Sequence, residues 1–245
     1  MTGQASQRGA QLPYRTLAGV VPARNGWLAA TAKLQGVTLA AEPPQVFRTL
    51  LDVFDYKPAF QVISLFAPIG LLDEPQPGGR QCDREARRLL KWPRSGAIVS
   101  PPVRAAVGCK TYAEAVSVNG GHLSAVAWQV AKRVAEVDDD VEPYWQRTVF
   151  EVHPELSFFQ LNNDVAMRFS KHSQAGLEER SDALKARFPG VERVLNAKVA
   201  GATATRLADA AACLWTARRI ISKAVNRLPE DPVWDSMGLR MEYVR

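Results

Sequence analysis

The stretch Phe60-Gln-Val-Ile-Ser-Leu-Phe66 is short, rich in bulky apolar residues and followed closely by Pro68 and Gly70. A run of this length and composition is typical of a strand that is buried on both faces of a sheet. Strands of this kind usually pair with parallel neighbours and are covered by helices. We therefore take the stretch as a central strand and expect an α/β fold around it.

Three extended segments come before this strand. They are Arg15 to Val21, Leu28 to Leu34 and Val37 to Ala41, separated by turn residues that include Gly36. This pattern predicts an antiparallel meander. A helix is predicted next, starting at Pro43-Pro44, because proline is favoured in a first helical turn and apolar residues then recur at helical spacing up to Phe54.

The rest of the chain is predicted to be mainly helical. One further strand is expected at Thr148 to Val152, and the acidic run Asp138 to Asp140 indicates a solvated turn rather than a metal site. The proline-rich residues 93–104 are expected to form an irregular loop. The sum is a mixed α/β architecture that begins with the meander and closes with helices. The predicted helices are Asp83 to Leu90, Thr111 to Val118, His122 to Val137, Glu155 to Leu161, Gln174 to Phe188 and Thr203 to Val225.

The composition predicts one globular core. The chain has 245 residues, of which 47% are hydrophobic and 23% charged, and no apolar stretch reaches the roughly 18 residues of a membrane span. Residues 1–13 read as a disordered polar tail without the apolar centre of a secretory signal, so we expect a cytoplasmic location without membrane contact. Three widely spaced cysteines favour neither a disulfide framework nor a zinc site.

The charge balance permits a polyanionic partner. Lys and Arg number 31 against 25 acidic residues, giving a formal charge of +6. Arg84 and Arg87 are candidates for binding an anion such as phosphate, and Arg104 and Lys171 are further candidates. The alternative is a set of solvated helix faces on which arginines pair with acidic neighbours such as Glu85.

Seven strings along the chain form a recognisable series. They are Gly19 to Trp27, Ala67 to Leu71, Asp83 to Arg87, Pro102 to Arg104, Glu151 to Glu155, Asp209-Ala210 with Trp215 to Ala217, and Leu228 to Pro232 through Glu242. In this order they resemble an uncharacterised bacterial family of predicted ribonuclease H-like nucleases, the domain of unknown function 429, from about residue 15 to the C-terminus. The resemblance implies a single ribonuclease H-like domain over residues 14–245, with a mixed sheet and a helical insertion around residues 80–145.

The resemblance also implies a metal site, and this sequence departs from it. Nucleases of this class hold two divalent ions on carboxylates at the ends of adjacent strands. Val21 and Phe66 stand where the family has aspartates, and Thr205 and Arg206 stand where it usually has an aspartate pair. Apolar side chains offer no oxygen ligand and disfavour the ion's hydration shell. The carboxylates that remain as catalytic candidates are Glu151, Glu155 and Asp209.

The spacing of Glu151, His153 and Glu155 leaves two interpretations open. If the strand ends near Val152, Glu151 and His153 project to one face and can form a chemical site with Glu155. Alternatively, Glu155 stabilises the positive end of a helix that begins at Pro154. His122 and His172 have no partner at metal-ligand spacing and are expected to be ordinary histidines.

These observations support three functional hypotheses. The leading one is a ribonuclease H-like protein that has lost its two-metal nuclease site, needs no cofactor and acts as a binding or assembly module. The alternative is a metal-dependent nuclease using magnesium or manganese at a site rebuilt from Glu151, Glu155 and Asp209. A nucleic-acid-binding protein without partner preference comes third. The expected partner is nucleic acid or another protein.

Overall fold

The computed structural model describes residues 13–245, so the tail predicted at residues 1–13 lies outside the described residues except for Pro13. The strands are β1 (Arg15–Ala23), β2 (Gly26–Gln35), β3 (Thr38–Ala41), β4 (Gln45–Phe47), β5 (Val62–Leu65), β6 (Val149–Glu151), β7 (Arg227–Trp234) and β8 (Arg240–Val244). The α-helices are α1 (Leu50–Phe54), α2 (Gln81–Leu90), α3 (Arg104–Val107), α4 (Tyr112–Val118), α5 (Ala125–Asp140), α6 (Pro154–Leu161), α7 (Gln174–Arg187), α8 (Glu192–Leu195) and α9 (Ala204–Ile221).

A six-stranded mixed sheet forms the centre of the fold. Its order is β3-β2-β1-β5-β6, and the short strand β4 pairs with the first part of β2. The strands β1, β2 and β3 form the antiparallel meander that the sequence predicts. The strands β5 and β6 then add in parallel to β1. This confirms a mixed α/β fold in which a sheet of antiparallel and parallel strands is flanked by helices.

Each face of the sheet carries its own hydrophobic core. On β1, Leu17 and Val21 belong to the core beneath α9, whereas Ala18 and Val20 belong to the core on the opposite face, near α1 and α5. This alternation follows from the two-residue period of a strand. Both faces are apolar, as the composition of Phe60 to Phe66 predicts.

Helix α9 packs directly on β1 at Gly19. A Cβ atom on Gly19 would lie 2.1 Å from the Leu214 backbone nitrogen and 2.3 Å from the Ala210 carbonyl oxygen. Glycine lets the helix approach the sheet this closely because it has no side chain. This contact sets the distance between α9 and the sheet, and thereby the position of Asp209, which is the residue before Ala210 on α9.

Three local predictions are wrong. Pro43-Pro44 does not start a helix, because β4 comes first and α1 begins only after the capping box of Thr49 and Asp52. The run Asp138 to Asp140 is the last turn of α5 and not a turn beyond it. The chain closes with the antiparallel hairpin of β7 and β8, whose pairing is interrupted between Leu228 and Val233, and not with helices.

The remaining differences are small. Residues 93–104 contain a short 3-10 helix at Arg94–Ala97, and α3 begins at their end. Residues 80–145 hold the helices α2 to α5, where the resemblance places a helical insertion. None of the helices in residues 13–245 has the length and hydropathy needed to cross a membrane.

The contact at Gly19 gives a test of the packing. We expect Gly19→Ala to lower the free energy of unfolding by about 2–3 kcal/mol, because the methyl group meets backbone atoms that cannot move aside. Gly108→Ala is the matched control, since a Cβ there meets nothing within 4 Å. Denaturant unfolding of both variants measures the difference, and equal stabilities would refute the close packing of α9 on β1.

Candidate functional site

The candidate site lies where the parallel strands β1, β5 and β6 end. The Phe66 N–H donates to the Val20 carbonyl (2.8 Å), and the Val152 N–H donates to the Leu65 carbonyl (2.9 Å). This register places Phe66 beside Val21, and both side chains pack in the core beneath α9. The two positions for which the resemblance implies aspartates are therefore neighbours on one face of the sheet.

Of the three candidate carboxylates, Glu151 accepts the most hydrogen bonds. Arg80 donates to it twice, from Nη2 to Oε1 (2.6 Å) and from Nη1 to Oε2 (2.9 Å), and the Ile69 N–H donates to Oε2 (2.7 Å). The same guanidinium donates to Asp83 (3.0 Å), which also accepts from the Tyr243 hydroxyl (2.9 Å). One buried cation thus serves two buried carboxylates.

Glu155 is neutralised by a different arginine. Nη2 of Arg180 donates to both carboxylate oxygens of Glu155, at 2.8 and 3.0 Å, and both side chains are buried. Nη1 of Arg180 donates to the carbonyls of Phe169 and Gly176. Glu155 also lies in the first turn of α6, as the electrostatic interpretation expects.

Asp209 is paired with Lys171. The Lys171 ammonium donates to Oδ2 (3.1 Å), whereas Oδ1 is buried and has no hydrogen-bond partner among the described residues. The ammonium also lies 5.8 Å from the centre of the Phe66 ring. Lys171 therefore supplies positive charge beside both Phe66 and the surviving aspartate.

His153 connects these groups. It caps α6, with Nδ1 accepting the Glu155 N–H (3.2 Å), and its ring meets the Phe66 ring edge to face at 4.8 Å. Its other aromatic neighbour is Tyr243, at 6.0 Å between ring centres. Because Nδ1 accepts, the neutral ring carries its proton on Nε2.

The residues present do not fit a pair of divalent ions. In residues 13–245, no group of three or more His, Cys, Asp or Glu side chains could hold a metal ion. The three candidate carboxylates each face a separate cation, and a metal would have to displace it. Breaking a buried ion pair leaves an uncompensated charge that costs about 3–5 kcal/mol.

The arginines predicted to bind anions have internal partners. Arg84 donates to the Gly79 carbonyl, and Arg87 donates to the carbonyls of Gly78 (2.7 Å) and Ile98 (3.0 Å). These bonds brace the Pro/Gly-rich loop before α2. Arg87 also lines a second cavity of about 750 Å³.

Arg104 lies in a separate acidic cluster and not beside Lys171. It donates to Asp138 (3.0 Å), Asp235 (2.6 Å) and Asp73 (3.2 Å). Asp138 therefore acts as an ion-pair partner of Arg104. The hydrogen bonds that Arg104 donates to Asp138 and Asp235 raise the pKa of its guanidinium.

A cavity of about 520 Å³ opens beside the candidate site. Phe66, Glu151, His153, Glu155, Lys171 and Arg206 line it. Arg206, one of the positions at which the family usually has an aspartate, thus reaches the same cavity as Phe66. Most of these residues were singled out in the sequence analysis. Arg80 and Tyr243, which form hydrogen bonds with Glu151 and Asp83, were not.

The family model of DUF429, described as a protein of unknown function, matches residues 19–233. The chain belongs to the DUF429 family. No curated protein and no solved structure matches the chain significantly. The DUF429 match spans β1 to β7 and contains Glu151, Glu155 and Asp209, whereas Tyr243 lies beyond it.

Burial and the Arg80 charge have opposite effects on the protonation of Glu151 and Asp83 in this DUF429 protein. Burial raises the pKa of Glu151 to about 7, against the opposing effect of Arg80 and the Ile69 N–H. Burial also favours protonation of Asp83, but Arg80 and Tyr243 outweigh it and lower the pKa of Asp83. Asp83 is therefore the ionised partner of Arg80, and Glu151 is the first carboxylate of the pair to take up a proton.

Burial, together with the nearby Lys171 charge, lowers the pKa of His153 to about 3. The folded protein therefore keeps this ring neutral at a pH where the unfolded chain, with a pKa near 6.5, is protonated. The folded state loses stability from His153 as the pH falls from about 6.5 towards 3, because the unfolded state then binds more protons.

His153→Asn tests this assignment, since asparagine keeps an acceptor at the helix cap and does not titrate. We expect the free energy of unfolding of the natural protein to fall relative to the variant by up to ~1.4 kcal/mol per pH unit below pH 6.5. Chemical denaturation at several pH values measures the slope. His122→Asn at an exposed position is the control, and parallel curves for the natural protein and His153→Asn would contradict a buried neutral ring.

Proposed function

We propose that this DUF429 protein is a ribonuclease H-like binding module that has lost the two-metal nuclease site. The fold assignment is supported by an antiparallel meander followed by parallel strands, which is the arrangement that the family resemblance implies. The loss of catalysis is supported by Val21 and Phe66, which are neighbours at the strand ends and offer no oxygen ligand.

The observation that carries the proposal is that each remaining carboxylate has its own cation. Glu151 pairs with Arg80, Glu155 with Arg180 and Asp209 with Lys171. Divalent ions are held by carboxylates whose negative charge is available to them. Here Glu155 and Asp209 each have a cation of the protein as partner, and Glu151 shares Arg80 with Asp83, so ammonium and guanidinium groups occupy the places that metal ions would need.

The net positive charge of the chain indicates the class of partner that such a module would bind. The formal charge of +6 favours a polyanion such as nucleic acid. A protein partner is the second class, and it fits the internal pairing of Arg84, Arg87 and Arg104, which reduces the number of free cations on the surface.

We expect no magnesium- or manganese-dependent cleavage above background on single-stranded, double-stranded or hybrid substrates. The reason is that apolar groups at two aspartate positions cannot coordinate a hard cation. The assay compares the natural protein with Glu151→Gln in each metal and in chelator.

The control separates a true activity from contamination. Turnover that needs metal and disappears in Glu151→Gln would show that the protein is a metal-dependent nuclease using Glu151, Glu155 and Asp209, and the binding-module proposal would be wrong. Equal traces in both preparations would come from a contaminant and would leave the expected result intact.

A further inference from the structure

The cavity beside the candidate site has two ends of different chemistry. Its volume of about 520 Å³ falls within the range of about 300–1,000 Å³ that small-molecule sites occupy. One end is formed by the segment around Lys171 together with Arg206 and Arg94. Helix α5 contributes Val126, Val130 and Val134 to the lining, together with Arg133, whose guanidinium is paired with Glu136.

The first end carries surplus positive charge. The Thr205 hydroxyl donates to the Lys171 carbonyl (3.4 Å), and Arg94 donates to the Phe169 carbonyl (3.1 Å), so both elements converge on residues 169–171. Among the described residues, Lys171 alone of the three cations has a carboxylate partner, Asp209, and its ammonium forms only that hydrogen bond.

The donors of this end are available. The Arg206 guanidinium forms no hydrogen bond or ion pair with any residue of the described chain. Arg94 uses Nη1 for the Phe169 carbonyl, and its Nη2 forms no hydrogen bond with any described residue. The cavity's two glutamates are bonded elsewhere, because Glu155 is paired with the buried Arg180 and Glu151 shares the buried Arg80 with Asp83. An anion is therefore attracted to this end.

The α5 residues of the lining are mainly apolar and partly exposed, and their one cation, Arg133, is paired with Glu136. Val126 is 53% and Val130 37% exposed, although both lie on α5 and line the cavity. Pro22, Phe66 and Val99 extend the same lining. Covering such aliphatic side chains with an apolar group of a ligand removes them from water and stabilises the complex. The same side chains offer no hydrogen-bond partners to a polar ring.

We propose that this cavity binds a small amphipathic anion, with a carboxylate or phosphate head at Arg206, Lys171 and Arg94 and an aliphatic or aryl body against α5. The inference rests on the proposed function, because it assigns an organic ligand to the place where a nuclease would hold metal ions. The head and the body are recognised by different side chains, so each can be tested separately.

The experiment is a calorimetric titration of the full chain in chelator with five probes. Octanoate and octyl phosphate carry both an oxyanion and an apolar chain. Octanol and octyltrimethylammonium keep the chain without the anionic head, and adenosine monophosphate keeps the phosphate on a polar body. We expect octanoate, octyl phosphate or both to bind at one site per chain, and the other three probes to bind at least about tenfold more weakly.

Two pairs of variants locate the site. Arg206→Met should weaken binding about tenfold because a charged hydrogen bond is lost, whereas Arg147→Met, at an exposed arginine outside the cavity, should not. Val126→Asp should also weaken binding, and Val37→Asp, at a position that is 84% exposed and outside the cavity, should not. Thermal melting checks that each variant is folded.

Several results would overturn the inference. Equal binding of octanol or octyltrimethylammonium would exclude recognition of the head, and tighter binding of adenosine monophosphate would exclude an apolar body. No binding of octanoate or octyl phosphate, or unchanged binding by folded Arg206→Met, would refute the assigned ligand while leaving the non-cleaving binding module in place. Metal-dependent cleavage would instead refute the proposed function itself.

Discussion

The buried guanidinium of Arg80 joins parts of the chain that are far apart in sequence. It bonds Asp83 in α2, Glu151 at the end of β6 and the carbonyls of Ile69 and Gly70 in the loop after β5. Tyr243 of β8 completes the group through Asp83. The Arg80 guanidinium thus links three parts of the fold: the central sheet, the helical segment after it and the C-terminal hairpin. Removing that cation would leave two carboxylates buried without a counterion, which is among the most destabilising changes a core can suffer.

The same arrangement explains why the strand ends do not have the properties of a metal site. A ribonuclease H-like nuclease needs carboxylates whose charge is free to bind divalent ions. In this chain Arg80, Arg180 and Lys171 supply the positive charge internally, and the Phe66 ring occupies one of the aspartate positions. His153 packs against that ring and stays neutral because it is buried. Compensation of the carboxylates and packing of the Phe66 ring together support our proposal that this site does not bind metal ions.

The parts of the fold set by local pattern could be predicted from the sequence. The meander and the central strand follow from short apolar runs punctuated by glycine, and most helices follow from their periodicity. The strand β4 was missed because Pro43-Pro44 resembles a helix start, and the hairpin was missed because Pro229 and Pro232 argue against a strand. The site carboxylates were found through the family resemblance. Lys171 was a candidate for anion binding, but its pairing and those of the two arginines were not predicted, because the Arg80–Glu151, Lys171–Asp209 and Arg180–Glu155 partners are 71, 38 and 25 residues apart and no local spacing encodes such pairs.

The central claim is that internal cations have replaced divalent metal at the strand ends. The most direct test is a titration of the protein with manganese, followed by the electron paramagnetic resonance signal of free Mn²⁺. We expect the free Mn²⁺ signal to grow in proportion to the added metal up to millimolar concentration, for the natural protein and for Asp209→Asn alike. A loss of signal that corresponds to one or two ions per chain and is abolished in Asp209→Asn would contradict it.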